Sequence, residues 1–238
     1  MVEQQAGDSV LYVQLARNVI EQGVFSGDPS APFNPTLIRT PGYPLFIAGV
    51  YEIFGLGNEE AVRVVQALFF TLTCLLGALT ASQWVDDRTR KANAAWITFI
   101  LTAFCPFTVI YSATVLTECL TMFLLAAMML AATYAIKSRK SVRSGIWWFI
   151  AGLLGGLNVL FRPDSGLFVF GIGLTLVFTV FFGRGTFRRR LVNRLWKGIV
   201  FSLAFVIPLL PWTIRNEQLF GVFQPLAPTH GRSIGSTA

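Results

Sequence analysis

Charged residues are scarce in this chain of 238 residues. They make up 13% of the sequence, against roughly a quarter in an ordinary soluble domain. Hydrophobic residues make up 54% and the mean hydropathy is +0.61. This apolar content excludes a disordered chain, and the shortage of charge argues against a water-soluble globular domain.

Cysteine and histidine are also scarce. Cys74, Cys105 and Cys119 lie within or at the ends of apolar runs, without any Cys-x-x-Cys or cysteine–histidine spacing, and His230 is the one histidine. The sequence therefore predicts neither a disulfide framework nor a zinc site. No pair of carboxylates stands out as a metal site, so the sequence assigns no metal-binding residue and no cofactor, and it leaves the metal requirement open.

Long uncharged runs are the main feature that is present. Each is long enough, or nearly so, to cross a hydrocarbon core of about 30 Å as a helix. The predicted spans are 64–85, 94–112, 116–136, 145–161, 165–183 and 198–213. We therefore expect an all-α fold, a polytopic membrane helical bundle with about six transmembrane helices.

The basic residues lie mostly in three loops. Loops 86–93, 137–143 and 184–197 contain 13 of the 19 Lys and Arg residues and only Asp86 and Asp87 of the 12 acidic residues. If the spans alternate, these loops share one side, which the positive-inside rule assigns to the cytoplasm. The expected location is the inner (cytoplasmic) membrane, and the expected partners of these charges are membrane lipids instead of nucleic acid.

Residues 1–60 are then predicted to form an extracytoplasmic first loop. A short amphipathic helix is predicted at its start, with Asp8 or Ser9 as its cap and Gly23 at its end. Its apolar face follows helical spacing through Tyr12, Leu15, Ala16, Val19 and Ile20. The uncharged run at 40–51 is too short to span, so it predicts a second interfacial or re-entrant helix.

The domain division that follows is 1–60 for this loop, 61–215 for a six-helix transmembrane region and 216–238 for the start of a further outer loop. No apolar segment precedes Asp8 to carry the chain across the membrane, and the C-terminal stretch is polar and rich in Pro and Gly. We therefore expect a fragment that lacks the first helix and the C-terminal part of a longer protein.

Five segments carry a recognisable pattern. In chain order they read GDSVLYVQLARNVIEQGVFS, RTPGYPLFIAGVYEIFG, TVLTECLTMFLLAAMML, GGLNVLFRPDSGLFVF and PWTIRNEQLFGVFQPLAPTHG. Together they resemble, in order and sidedness, the N-terminal half of the polyprenyl-phosphate-dependent glycosyltransferases of the GT-C superfamily. The likeness is strongest to the dolichyl-phosphate-mannose-protein mannosyltransferase-like group, which includes the lipid A aminoarabinose transferases.

This resemblance implies transfer of a sugar, with inversion, from a polyprenyl-phosphate carrier to a lipid, glycan or protein acceptor at the outer face. In the family an acidic residue of the first outer loop is the general base, and Asp8 matches that position. The base takes the proton of the acceptor hydroxyl, and a cation stabilises the departing phosphate. An N-cap is the structural alternative for Asp8.

The candidate substrate-binding residues are Arg39, Tyr43, Glu118, Arg162, Arg215 and His230. Three of them have a specific structural alternative: Arg39 can meet lipid headgroups, Glu118 can sit in a favourable first helical turn, and Arg215 can anchor a span end. For Arg162 the structural interpretation is favoured, with Asp164 beside it as the cap of the next helix, and His230 is expected in a surface loop. The rival functions are a membrane transporter or flippase and an inactive truncated chain.

Overall fold

The computed structural model describes residues 2–181 and 186–226, and within these ranges the chain is helical with no strand. The helices are α1 Val2–Gln22, α2 Gly42–Phe54, α3 Glu59–Gln83, α4 Arg88–Ala103, α5 Pro106–Ala113, α6 Glu118–Lys137, α7 Ser141–Phe161, α8 Gly166–Phe181, α9 Phe187–Val206 and α10 Leu210–Phe220. Short 3₁₀ turns at Pro163–Ser165 and Ile207–Leu209 precede α8 and α10. The prediction of an all-α membrane bundle is confirmed.

Four helical segments are long and apolar enough to cross a membrane: α3, α6, α7 and the stretch Arg190–Phe220. The bent pair α4 and α5 gives a fifth if it is counted as one span. The predicted span 165–183 appears as α8, whose 16 described residues reach only about 24 Å. The chain thus has four or five candidate spans in its described part, and a sixth stays a prediction.

The predicted span 94–112 is broken. The helices α4 and α5 meet at an angle of 55°, and the break falls at Phe104 and Cys105, directly before Pro106 at the start of α5. Proline has no N–H to donate to the preceding turn and its ring clashes with that turn, so a helix kinks or breaks at this position.

The basic loops lie together at one end of the bundle. The ammonium of Lys137 lies 5.6 Å from the ring centroid of Trp84, which joins the end of α6 to the end of α3. The hydroxyl of Ser141 and the side-chain oxygen of Asn193 lie 3.2 Å apart, which joins the start of α7 to α9. We call this the basic end.

The helix α7 packs directly against the backbone of α9. A Cβ added at Gly152 would lie 2.3 Å from the carbonyl oxygen of Phe201, and one added at Gly156 would lie 2.2 Å from that of Phe205. Small residues allow helices to approach this closely, and within a bilayer such packing is a main source of helix association.

The prediction that Asp8 or Ser9 caps α1 is wrong, because the helix begins six residues earlier, at Val2. The residues before Gly7 include helix formers such as Glu3 and contain no proline, so nothing in the sequence stops the helix there. The predicted end is confirmed: Gly23 follows the last turn with a φ of 68°, a backbone region that favours glycine.

Gly156→Ala tests the close contact between α7 and α9. We expect a loss of about 1–3 kcal/mol in the free energy of unfolding, because the added methyl group meets backbone atoms that cannot rotate away. Gly145→Ala is the matched control, since a Cβ there meets nothing within 4 Å. Thermal unfolding of both variants in the same detergent measures the difference, and equal stabilities would contradict the packing described.

Candidate functional site

Asp8 forms an ion pair with Arg39, which lies 31 positions further along the chain. Asp8 is presented by α1, and Arg39 lies in the loop between α1 and α2. Their side chains are 41% and 35% exposed, respectively, so both remain accessible to a ligand. The Arg39 guanidinium also lies 5.9 Å from the ring centroid of Tyr12, one helical turn beyond Asp8.

Glu118 and Arg162 form a second ion pair, with 2.7 Å between Oε1 and Nη1. Glu118 opens α6, where the helix dipole favours a negative charge. The Nε of Arg162 also donates to Asp164 Oδ2 at 3.3 Å. Burial opposes the charge of Arg162, but Glu118 and Asp164 outweigh it and raise its pKa.

Asp164 does not cap α8 in the predicted way. It lies inside the 3₁₀ turn Pro163–Ser165 that precedes α8, and its carboxylate accepts from Arg162. The carboxylate of Asp164 instead helps to hold Arg162 beside Glu118.

Tyr12 lies near both ion pairs. Burial raises the pKa of its hydroxyl above the ordinary value, and the charges of Arg39, Asp8, Glu118 and Arg162 also act on it. Thr40, directly after Arg39, donates a hydrogen bond to the carbonyl oxygen of Phe161, directly before Arg162. The two pairs therefore belong to one cluster. We call Asp8, Tyr12, Arg39, Glu118 and Arg162 the two-pair site.

The two-pair site lies at the end of the bundle opposite the basic end. Glu118 begins α6, whereas Lys137 is its last residue; Arg162 follows α7, whereas Ser141 is its first. The 20 residues of α6 separate these ends by about 30 Å. The charged residues of the two-pair site therefore lie about a membrane's thickness away from the basic loops.

The start of α2 holds Arg39 close to Arg162. The Thr40 hydroxyl donates to the carbonyl oxygen of Phe161 at 3.3 Å. A Cβ added at Gly42 would lie 2.7 Å from the carbonyl oxygen of Leu160, so this position requires glycine. The last turn of α7 therefore holds Thr40 and Gly42 in place, and with them the neighbouring Arg39.

Tyr43 is fully buried beneath this site. Its hydroxyl donates to Gln66 Oε1 at 2.7 Å, and Gln66 Nε2 donates to the carbonyl oxygen of Thr114 at 2.8 Å. Its ring packs edge-on against Tyr12, with centroids 5.1 Å apart. Tyr43 thus supports Tyr12 and links α2 to α3 and to the turn before α6, and its predicted contact with substrate stays a prediction.

Arg215 lies apart from the two-pair site, on α10. Its Nη1 donates to Asn216 Oδ1 at 3.0 Å, and its guanidinium stacks 4.6 Å from the ring centroid of Trp212. The predicted role of Arg215 in substrate binding stays a prediction. His230 lies outside the described residues.

Sequence reasoning did not select Tyr12 or Gln66 as site residues. Tyr12 is four positions after Asp8, a spacing that places both on one helix face, and this signal was available in the sequence. Gln66 is a polar residue inside an apolar run, which is a weaker signal. Within the ranges 2–181 and 186–226, no group of three or more His, Cys, Asp or Glu residues is placed to hold a metal ion.

A family model described as dolichyl-phosphate-mannose-protein mannosyltransferase matches residues 38–212, about three quarters of the chain. The chain belongs to this family. Membership, together with the candidate spans, makes it a multi-pass membrane glycosyltransferase of the GT-C type, as the resemblance implied. The matched region contains Arg39, Tyr43, Glu118 and Arg162, whereas Asp8 and Arg215 lie outside it. Comparisons with curated proteins and with solved structures give no match.

Tyr43→Phe tests the buried network under the site. We expect a loss of about 1–3 kcal/mol in the free energy of unfolding, because the buried side-chain oxygen of Gln66 loses the hydroxyl group that donates to it. Tyr51→Phe in the same helix is the control. Tyr51 is also buried, but its hydroxyl has no hydrogen-bond partner among the described residues, so its removal should be neutral or stabilising. Thermal unfolding compares the two, and equal losses would contradict the network.

Proposed function

We propose that this glycosyltransferase transfers a sugar from a polyprenyl-phosphate carrier to a lipid, glycan or protein acceptor at the extracytoplasmic face, with Asp8 as the general base. The observation that carries this proposal is the ion pair of Asp8 and Arg39, partly exposed and opposite the basic end. The positive-inside rule supports the orientation, since it places the basic loops in the cytoplasm of an inner membrane.

The chemistry gives each member of this pair a role. Asp8 accepts the proton of the acceptor hydroxyl while the hydroxyl oxygen forms its bond to the anomeric carbon. The bond from that carbon to the phosphate oxygen breaks on the opposite face, and its electron pair leaves with the lipid phosphate, which inverts the configuration. Arg39 orients Asp8 and adds positive charge where the departing phosphate gains negative charge.

The second ion pair completes the polar surface around Tyr12. Glu118 and Arg162 supply a carboxylate and a guanidinium that can hydrogen-bond hydroxyl groups of the sugar or the acceptor. Glu118 is 25% exposed and is the next candidate for the base. This arrangement favours a surface reaction over transport: all four described ion pairs, including Arg63 with Glu59 at the start of α3, lie at this one end and none at mid-depth.

Asp8→Asn tests the proposed base. The change keeps the shape of the side chain but removes its ability to take a proton, so we expect turnover to fall about 10²–10⁴-fold. The measurement is release of free polyprenyl phosphate from a panel of polyprenyl-phosphate sugars, which reports transfer whatever the sugar is.

Glu59→Gln is the control for this experiment. It also converts a carboxylate to an amide at the same end of the bundle. Because Glu59 pairs with Arg63 on the exposed start of α3, outside the two-pair site, this substitution should leave turnover unchanged. An Asp8→Asn enzyme with the turnover of the unmodified protein would show that the base is another residue.

A further inference from the structure

A cleft of about 760 Å³ opens at the basic end, between the loop that joins α6 to α7 and the first turns of α9. Its volume falls within the range of about 300–1,000 Å³ typical of ligand sites. Arg139 lines it from the loop, and Arg188 lines it from α9. Ser141 and Asn193, whose side-chain oxygens lie 3.2 Å apart, join its two walls. We call it the arginine cleft.

The two arginines have no acidic partner. The loops 137–143 and 184–197 contain ten basic residues and no acidic one, and the sequence has no Asp or Glu between Glu118 and Asp164. None of the ion pairs within the ranges 2–181 and 186–226 includes Arg139 or Arg188. An anionic ligand can therefore pair with these charges without the loss of an internal ion pair.

Two helices begin at the arginine cleft. Ser141 is the first residue of α7, Thr186 directly precedes α9, and both line the cleft. Neither helix has a side-chain cap at its start among the described residues. The first N–H groups of a helix have no partner within it and carry a partial positive charge. Both helix starts therefore add to the attraction that the arginines exert on an anion.

An apolar cleft of about 360 Å³ adjoins the arginine cleft. Ser141 and Trp196 line both, so the two clefts are continuous. The walls of the apolar cleft include Ile146 and Phe149 from α7 and Val200 from α9. From Ser141 to Phe149 α7 rises about 12 Å. The apolar cleft thus extends from the basic end toward the middle of the bundle.

This order of polar and apolar surface favours a lipid over a soluble anion. Headgroups of the cytoplasmic leaflet lie at the depth where the positive-inside rule places the basic loops. Tryptophan is enriched at the boundary between headgroups and hydrocarbon, and Trp196, which is 58% exposed, lies where the two clefts meet. A soluble anion would fill the arginine cleft and leave the apolar cleft empty.

We propose that the two clefts together bind one anionic phospholipid of the cytoplasmic leaflet. Arg139 and Arg188 hold its phosphodiester group, and the apolar cleft between α7 and α9 takes an acyl chain. Basic loops attract anionic lipids in general, and the two clefts add a defined place for one headgroup and its chain. The proposed lipid site lies at the opposite end of the bundle from Asp8 and does not depend on the chemistry proposed there.

Native mass spectrometry of the full chain in a nonionic detergent tests this proposal, with dioleoyl phosphatidylglycerol as the added lipid. The measured quantity is the dissociation constant of the first bound lipid. Arg139→Gln combined with Arg188→Gln should raise it about 10- to 100-fold, because each basic residue near a lipid headgroup contributes about fivefold in affinity. Arg139→Lys combined with Arg188→Lys keeps both charges and should stay within about fivefold of the unmodified protein, which separates lost charge from lost folding.

Arg88→Gln combined with Arg90→Gln is the matched control. It also removes two arginine charges at the basic end, from the start of α4 and outside both clefts. The dissociation constant of the first lipid should stay within about twofold, because water and salt screen exposed charges at this distance. Equal weakening by the control pair would show a general basic surface and overturn the proposal.

Gly145→Leu tests the apolar cleft separately. Gly145 lines this cleft, and a Cβ added there meets nothing within 4 Å, so a larger side chain has room to enter the cleft. The leucine should occupy the place of the acyl chain and weaken phosphatidylglycerol binding, although both arginines remain.

Two other ligands identify the chemistry. Glycerol phosphate lacks acyl chains, and the choline of dioleoyl phosphatidylcholine cancels the phosphate charge, so each should bind at least about tenfold more weakly than phosphatidylglycerol. Glycerol phosphate bound as tightly would show a site for a soluble anion, and phosphatidylcholine bound as tightly would show a site that does not recognise charge. Unchanged binding in the double glutamine variant or in Gly145→Leu would show that the lipid binds elsewhere. Each of these results would overturn the proposal.

Discussion

The close packing of α7 against its neighbours is the constraint on which the site depends. At one face of α7, Gly152 and Gly156 bring it into contact with the backbone of α9; at its last turn, Gly42 brings α2 against Leu160. Contacts between backbones leave little freedom for helices to slide. Arg39 and Arg162 lie within three positions of this last contact, so the packing of α7 sets the distance between the two ion pairs.

The ion pairs themselves contribute little to folding. Pairs exposed to this degree are worth roughly 0–1 kcal/mol, because water screens the charges and the side chains lose freedom. The network from Tyr43 through Gln66 to Thr114 is expected to contribute more to stability. The side chains of Tyr43 and Gln66 are fully buried, so breaking their bond would leave a polar atom without a water partner. Stability and the proposed chemistry are thus divided between two layers, a buried neutral one and an accessible charged one above it.

The sequence predicts the helices better than it predicts the site. Uncharged runs indicate helices long enough to span, and loop charges indicate which ends lie together, because both effects depend on local composition. The pairing of Asp8 with Arg39 and of Glu118 with Arg162 joins residues 31 and 44 positions apart, and no local pattern carries that information. The predicted cap at Asp8 failed for a related reason: an N-cap signal cannot show that the residues before it also favour a helix.

We propose that the Asp8 carboxylate acts as a base in addition to pairing with Arg39. The most direct measurement exchanges the two charges, combining Asp8→Arg with Arg39→Asp in one chain. The attraction between the positions is kept, so the thermal stability should stay within about 1 kcal/mol of the unmodified protein. The carboxylate is now at position 39, so release of polyprenyl phosphate should be as low as in Asp8→Asn. A charge-exchanged protein with full turnover would contradict the account, because it would show that the pair serves the structure alone.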